Sequence, residues 1–310
     1  RASLGLVFWS GLSTRLRDFG DARARRWYPR LALYTALFAG LLFVLSLPYA
    51  FYAGFVREHA FGISNQTLEK WTRDTIIGVL LSTGVAALIL VPMLYRLLKR
   101  TRRWWLVLAL LSVPFGLFTQ VIAPLWIAPL FNHFEPLQDK ALERQILAVA
   151  GRAGIDGARI FQVDKSVDTH AVNAYVTGWL GTERIVLWDT SLEKLDTSEL
   201  LFVLGHDMGH YVLHPVLAEL WLGFVLTLIS LYFVDRFGRR VIAKQGSRSG
   251  VSQLEDVASL PLILLLLSLA DLVTSPAANL FSRHLEHEAD RFWLELLHDN
   301  HAAAQMFVTL

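Results

Sequence analysis

Long apolar runs separated by short polar ones dominate this chain. Five runs, at residues 31–56, 75–98, 104–131, 216–234 and 257–281, match the roughly 20 residues an α-helix needs to cross a bilayer at about 1.5 Å per residue. They predict a polytopic α-helical membrane protein. Residues 132–213 break the pattern. Residues 141–150 have helical periodicity and stop at Gly151 and Gly154. Residues 159–163, 172–177 and 184–188 are β-branched and aromatic runs between turn residues, hence strands. Ser198 with Glu199 then precedes an apolar stretch and reads as a helix start. The fold class expected is therefore mainly α, with a small α+β insert.

Four segments follow from this pattern: a basic N-terminal stretch with membrane helices (1–131), a soluble insert (132–213), membrane helices joined by a basic loop (214–281), and a final polar helix (282–310). The chain opens at Arg1 without Met. It reads as trimmed or processed, having lost a signal peptide or a first membrane helix.

Composition agrees with the membrane reading: 54% of residues are hydrophobic and only 18% charged, too apolar for an ordinary soluble domain. A net charge of +2 is too small to suggest nucleic acid. The cations gather beside the apolar runs, at 15–30, 96–103 and 236–248, as headgroup anchors do. With no cysteine there is no disulfide framework. With five crossings all three basic segments fall on one side, and the positive-inside rule puts the insert outside the cytoplasm.

The candidate chemistry lies in Leu204-Gly205-His206-Asp207-Met208-Gly209-His210. Two histidines four residues apart share one helix face about 6 Å apart, the geometry for holding a zinc ion between two imidazoles. The stretch departs from the H-E-x-x-H signature at one position, where Asp207 replaces the general-base Glu. A catalytic zinc needs a third protein ligand. His214 is about 12 Å further along the helix and rotated by about 80°, so it does not serve. The polar helix after the fifth run offers His284, Glu286, His287, Glu288 and Asp290. Glu286 and Asp290 share a face, one able to bind metal while the other orients a histidine. Spacing alone does not select Glu286 over Glu288.

These residues carry a resemblance to the type I CAAX prenyl proteases, membrane zinc metallopeptidases with a thermolysin-like catalytic core. It covers roughly residues 51–292. Glu58-His59-Ala60-Phe61-Gly62-Ile63-Ser64-Asn65-Gln66-Thr67 resembles the family's loop between membrane helices. Ile127-Ala128-Pro129-Leu130-Phe131-Asn132 is similar to its segment leading into the insert. Asn173-Ala174-Tyr175 and Arg184-Ile185-Val186-Leu187-Trp188-Asp189-Thr190 resemble its strand motifs. Ser282-Arg283-x-x-Glu286-x-x-Ala289-Asp290 resembles its third-ligand motif. The resemblance implies one Zn2+ per chain on His206, His210 and Glu286, with Asp290 behind a histidine. It further implies Asn173 and Ala174 on an edge strand that binds an extended peptide by strand addition. His214, His287, Glu288 and His298 are read as surface or supporting polar residues.

Three departures shape the functional expectation. Asp207 keeps the acid–base chemistry but is one methylene short, so zinc binding is expected intact and turnover weak or absent. His170 stands three residues before Asn173 rather than two, and takes no role. The family's later segment, with a His and an Arg for the oxyanion, has no match before Leu310. The expectation is an integral-membrane zinc metalloendopeptidase acting on peptides or membrane proteins at the lipid bilayer. The eukaryotic relatives are thought to face the cytosol, against the charge rule, and the charge rule is followed here. The alternative, raised by Asp207, is a zinc-binding pseudoprotease that captures peptides or membrane proteins without cutting them. A third reading, a transporter using Asp271 inside the fifth run, treats the metal as structural.

Overall fold

A computed structural model describes residues 1–178, 183–213 and 215–297; His214 and His298 lie outside them. Among the described residues, five helices are long and apolar enough to cross a membrane: Trp27–Ala60, Leu68–Arg100, Trp104–Leu130, Ala218–Ser249 and Val257–Glu295. This is the predicted number, and the protein is a multi-pass membrane protein, mainly helical, with a small four-stranded mixed sheet. The helices overrun the apolar stretches. The predicted basic loop at 236–248 is instead the last turns of helix Pro215–Ser249, since its arginines and lysine are good helix formers with no Pro to stop them. The fifth span continues without a break into the acidic motif, as one helix Leu260–Leu297.

The chain divides into two compact units. The first comprises Arg1–Gly54, Thr72–Phe115 and Leu222–Pro276. Its core holds Phe8, Tyr34, Tyr95 and Trp104, all fully buried. Buried hydroxyls need partners, and here they knit distant segments: Ser13 Oγ meets Tyr34 OH at 2.6 Å and donates to the Ala258 carbonyl at 2.8 Å. Tyr95 OH meets Ser259 Oγ at 3.0 Å, and Arg17 pairs with Asp256. Arg17, Arg30 and Lys99 line one hollow of this unit, and Lys99 with Arg100, Arg102, Arg103, Arg236 and Arg239 line another, so all three basic segments lie at one end of it. Large apolar side chains such as Leu80, Leu110 and Val273 stay exposed, as lipid-facing positions do. Asp271 is likewise exposed, with no side-chain partner among the described residues.

The second unit comprises Phe55–Trp71, Gly116–Trp221 and Ala277–Leu310. Its sheet runs in the order β1-β2-β4-β3, with β1 Phe134–Pro136, β2 Arg159–Val163, β3 Ala174–Thr177 and β4 Arg184–Trp188. β2 and β4 are parallel, in register Ile160 to Ile185, while β1 and β3 join antiparallel at the two edges. The sequence missed β1, three residues ending in Pro136 that carry no alternation. It also began β3 two residues early: the Asn173 carbonyl still accepts from Trp188 N of β4 at 3.1 Å, but its N–H turns to the Ser191 hydroxyl.

Helix Lys140–Arg152 packs Ile146, Val149 and Ala150 into the core and is capped by Asp139, which accepts from Ala141 N and Leu142 N at 2.8 and 3.0 Å. The histidine helix, Thr197–Val212, starts at a capping box rather than at Ser198. Asp196 accepts from Glu199 N at 2.9 Å, and Glu199 Oε2 accepts from Asp196 N at 3.0 Å. The loop after the first span is tied to the segment after β2 by Asn65 N and Ser64 Oγ, which donate to the Asp168 carbonyl at 3.0 and 3.1 Å. Lys70, at the start of the second span, lies 2.8 Å from the Asp168 carboxylate, and Lys165 donates to Asn132 Oδ1 at 2.6 Å. Burial opposes ionisation of Asp168, but Lys70, Asn132 and Lys165 outweigh it and hold its carboxyl below the usual range.

Candidate metal centre

Two glycines let the histidine helix lie against the acidic helix. A Cβ on Gly205 would sit 1.7 Å from Trp293 ring atoms, and one on Gly209 would sit 3.1 Å from the Ala289 carbonyl oxygen. Trp293 is buried, edge-on to Phe202 at 5.9 Å. Glu286, Asp290 and Trp293 fall at i, i+4 and i+7, one helix stripe. The same contact that buries Trp293 therefore aims both carboxylates at the histidines.

The result is a triangle of donor atoms. His206 Nε2 and His210 Nε2 are 3.1 Å apart, and Glu286 Oε2 lies 3.2 and 3.3 Å from them. Ligands held tetrahedrally about 2.0–2.1 Å from zinc stand about 3.3–3.4 Å from one another, so the set fits that ion. His206 Nδ1 is 2.9 Å from Asp290 Oδ1. A carboxylate only accepts, so Nδ1 carries the proton and Nε2 presents its lone pair to the triangle. Among the described residues, His206, His210 and Glu286 form the one such group whose ligand atoms all lie within 4.8 Å of each other. Glu288, which spacing left as a rival to Glu286, turns instead to Arg291 at 3.4 Å.

Asp207 projects from the same helix between the two histidines in sequence. Its Oδ2 is enclosed and has no protein hydrogen-bond partner. Burial pushes its carboxyl up to about 8, and the Glu286 carboxylate adds to this. A divalent cation held by Glu286 would oppose the second contribution. Without a cation on Glu286, a carboxyl raised that far is largely protonated at neutral pH.

Asn173 and Ala174 stand where β3, an edge strand, begins. Ala174 is buried in the same core cluster as Leu204 and Met208 of the histidine helix. The Asn173 backbone is pinned by Ser191, whose hydroxyl accepts from its N–H at 2.8 Å and donates to its carbonyl at 2.7 Å. Asn173 Oδ1 in turn accepts from Ala174 N at 2.8 Å. Ser191 went unnoticed in the sequence, since nothing local separates it from any other helix-start serine. His170 lies 3.3 Å from Asn65, in the bridge that pairs Ser64 with Thr169, and the structure does not bring it to the histidines of the site.

Comparison with known proteins identifies the family. Residues 4–133 match the model described as CAAX prenyl protease N-terminal, five membrane helices. The "Uncharacterized metalloprotease YhfN" of Bacillus subtilis (strain 168) is 38% identical over 307 residues, covering 97% of this chain and 70% of that protein. A "CAAX prenyl protease 1 homolog" of Dictyostelium discoideum is 34% identical across 88% of this chain and 65% of its own length. The crystal structure of S. mikatae Ste24p superposes with a TM-score of 0.73 at 23% identity, covering 90% of this chain and 69% of that one, which is a likeness of fold. Residues 136–310, more than half of the chain and including both histidines, match the model of peptidase family M48, and the chain belongs to that family.

Proposed function

We propose that this membrane metalloprotease binds one zinc ion through His206, His210 and Glu286 and hydrolyses internal peptide bonds there with low turnover. The observation carrying this reading is the triangle of lone-pair donors, with His206 set in its tautomer by Asp290. Zinc held at these atoms supplies a Lewis acid that activates water and polarises a peptide carbonyl. Asp207 takes the proton of the attacking water on its carboxylate and returns it to the leaving amine. Asn173 and Ala174 begin the open edge of β3, along which an extended peptide is held by backbone hydrogen bonds; the Asn173 backbone itself is taken up by Ser191 and sets where that edge starts. Such contacts read main chain, and they suit a prenylated CAAX peptide, the class in the relatives' names, as well as any unfolded stretch of a membrane protein.

The gathering of basic residues at one end of the first unit supports placing that end in the cytoplasm. Counting crossings then puts the residues between the third and fourth spans outside it. A second reading, a zinc-binding protein that captures peptides without cleaving them, is favoured by the short carboxylate at 207.

The test is zinc content together with cleavage of a long unstructured peptide in detergent. The chain as given is expected to hold one zinc, and Glu286→Gln to lose it along with any cleavage. Full zinc content in Glu286→Gln sinks the ligand assignment. Asp290→Ala is expected to weaken zinc affinity about 10- to 100-fold, read by competition against a chelator. An unchanged affinity would show that Asp290 does not orient His206.

A further inference from the structure

The first unit contains a second polar concavity, with no part in the metal centre. It lies between the turn that joins the second and third spans and the basic end of helix Pro215–Ser249, and its volume is about 690 Å3. That is within the range of about 300–1,000 Å3 typical of ligand sites. Its lining carries six cations against two carboxylates, Asp235 and Glu255. Both carboxylates are already engaged. Asp235 accepts from Trp104 Nε1 at 2.8 Å and from Arg239 Nε at 3.0 Å, and Glu255 lies 2.9 Å from the Arg239 guanidinium. Lys99, Arg100, Arg102, Arg103 and Arg236 have no carboxylate partner among the described residues. Five like charges around one cavity repel each other, and a bound anion relieves that repulsion.

The same helix indicates what carries the anion. Ile229, Tyr232 and Arg236 fall at i, i+3 and i+7, so one face passes from apolar to aromatic to cationic. Ile229 and Tyr232 are exposed to 52% and 42%. Tyr232 lies edge-on to Trp105 at 5.1 Å, and Arg236 stands 5.1 Å over the Tyr232 ring. Aromatic pairs of this kind mark the headgroup level of a bilayer. An acyl chain along Ile229 would bring a phosphate to Arg236 and to the 99–103 turn.

We propose that this cavity binds the phosphate headgroup of an anionic membrane lipid. A diffuse cationic belt would need no cavity and no neutralised frame. Here Asp235 and Glu255 hold Arg239 and Trp104 as a scaffold, and the remaining cations are left for the ligand.

The experiment uses the full chain in mild detergent, with lipid retention followed by native mass spectrometry. Phosphatidylglycerol is expected to be retained as one molecule per chain, at least tenfold more tightly than phosphatidylcholine. Arg102→Gln with Arg236→Gln should abolish that preference, and so should Arg100→Gln with Arg103→Gln. Arg25→Gln with Arg26→Gln, exposed cations outside the cavity, should leave it unchanged. Circular dichroism must match the parent for each variant that enters the comparison. Equal retention of the two lipids, or equal loss in the Arg25/Arg26 variant, overturns the proposal. Occupancy by glycerol 3-phosphate at the affinity of the lipid also overturns it, assigning the cavity to soluble phosphates instead.

Discussion

Asp207→Glu is expected to raise peptide cleavage by about 100-fold while zinc content stays the same. A reacting group misplaced by about 1 Å can lose that factor, and Asp falls short of Glu by one methylene. The histidine helix fixes the Asp207 backbone, because Gly205 and Gly209 hold it against the acidic helix and the Asp196–Glu199 box holds its start. The helix cannot slide to bring a short carboxylate forward without separating His206 from Asp290. A longer side chain makes up the distance directly. Zinc binding on the proposed ligands His206, His210 and Glu286 does not involve position 207 and so should not respond. The measurement is single-turnover cleavage of an unstructured peptide by both forms, with zinc quantified in the same samples. If the Glu form remains inert with one zinc bound, hydrolysis loses its support and the peptide-capturing reading takes its place. If the two forms cut equally, the distance argument is wrong and Asp207 reaches its proton unaided.

The second large effect is expected at a residue that touches neither metal nor substrate. Gly205→Ala places a methyl 1.7 Å from two atoms of the Trp293 ring. The ring is buried and backed by Phe202, so it has no free volume into which to turn. Overpacking of this kind costs about 1–3 kcal/mol, and more where nothing relaxes. Relief comes from moving the acidic helix outward, which takes Glu286 and Asp290 away from the histidines on the same stripe. We therefore expect a lower melting temperature and loss of zinc together. Adding Trp293→Ala to Gly205→Ala should recover part of the zinc binding, since the clash is removed. Gly209→Ala, with its nearest atom at 3.1 Å, should be milder in both respects. A Gly205→Ala protein with full zinc and an unchanged melting temperature would refute the close-packing account.

Both results bear on how a site of this kind is encoded. The five spans were legible because crossing a bilayer demands a continuous apolar run, a property of consecutive residues. The histidine pair was legible because a 3.6-residue repeat puts positions 206 and 210 on one face whatever lies around them. Strands β2 and β4 declared themselves by composition, and helix Lys140–Arg152 by its periodicity and its stop.

Partner choice across the chain was decided only in three dimensions. Glu286 and Glu288 are equivalent by spacing; packing of Trp293 against Gly205 rotates Glu286 inward and leaves Glu288 to Arg291. The bond from Asp290 to His206 joins residues 84 apart, and the role of Ser191 beneath Asn173 depends on a turn 18 residues away. That β3 is an edge strand follows from the order β1-β2-β4-β3, which no single strand contains. The cationic cavity likewise needs two basic segments to meet, one of them read from sequence as a loop and found as a helix. The sequence by itself determined the five spans, the central strands and helix Lys140–Arg152, and which residue types can bind a metal, because those follow from local periodicity and composition. Tertiary structure decided which of those residues meet, because that depends on how closely two backbones approach, and here two glycines and one tryptophan set the distance.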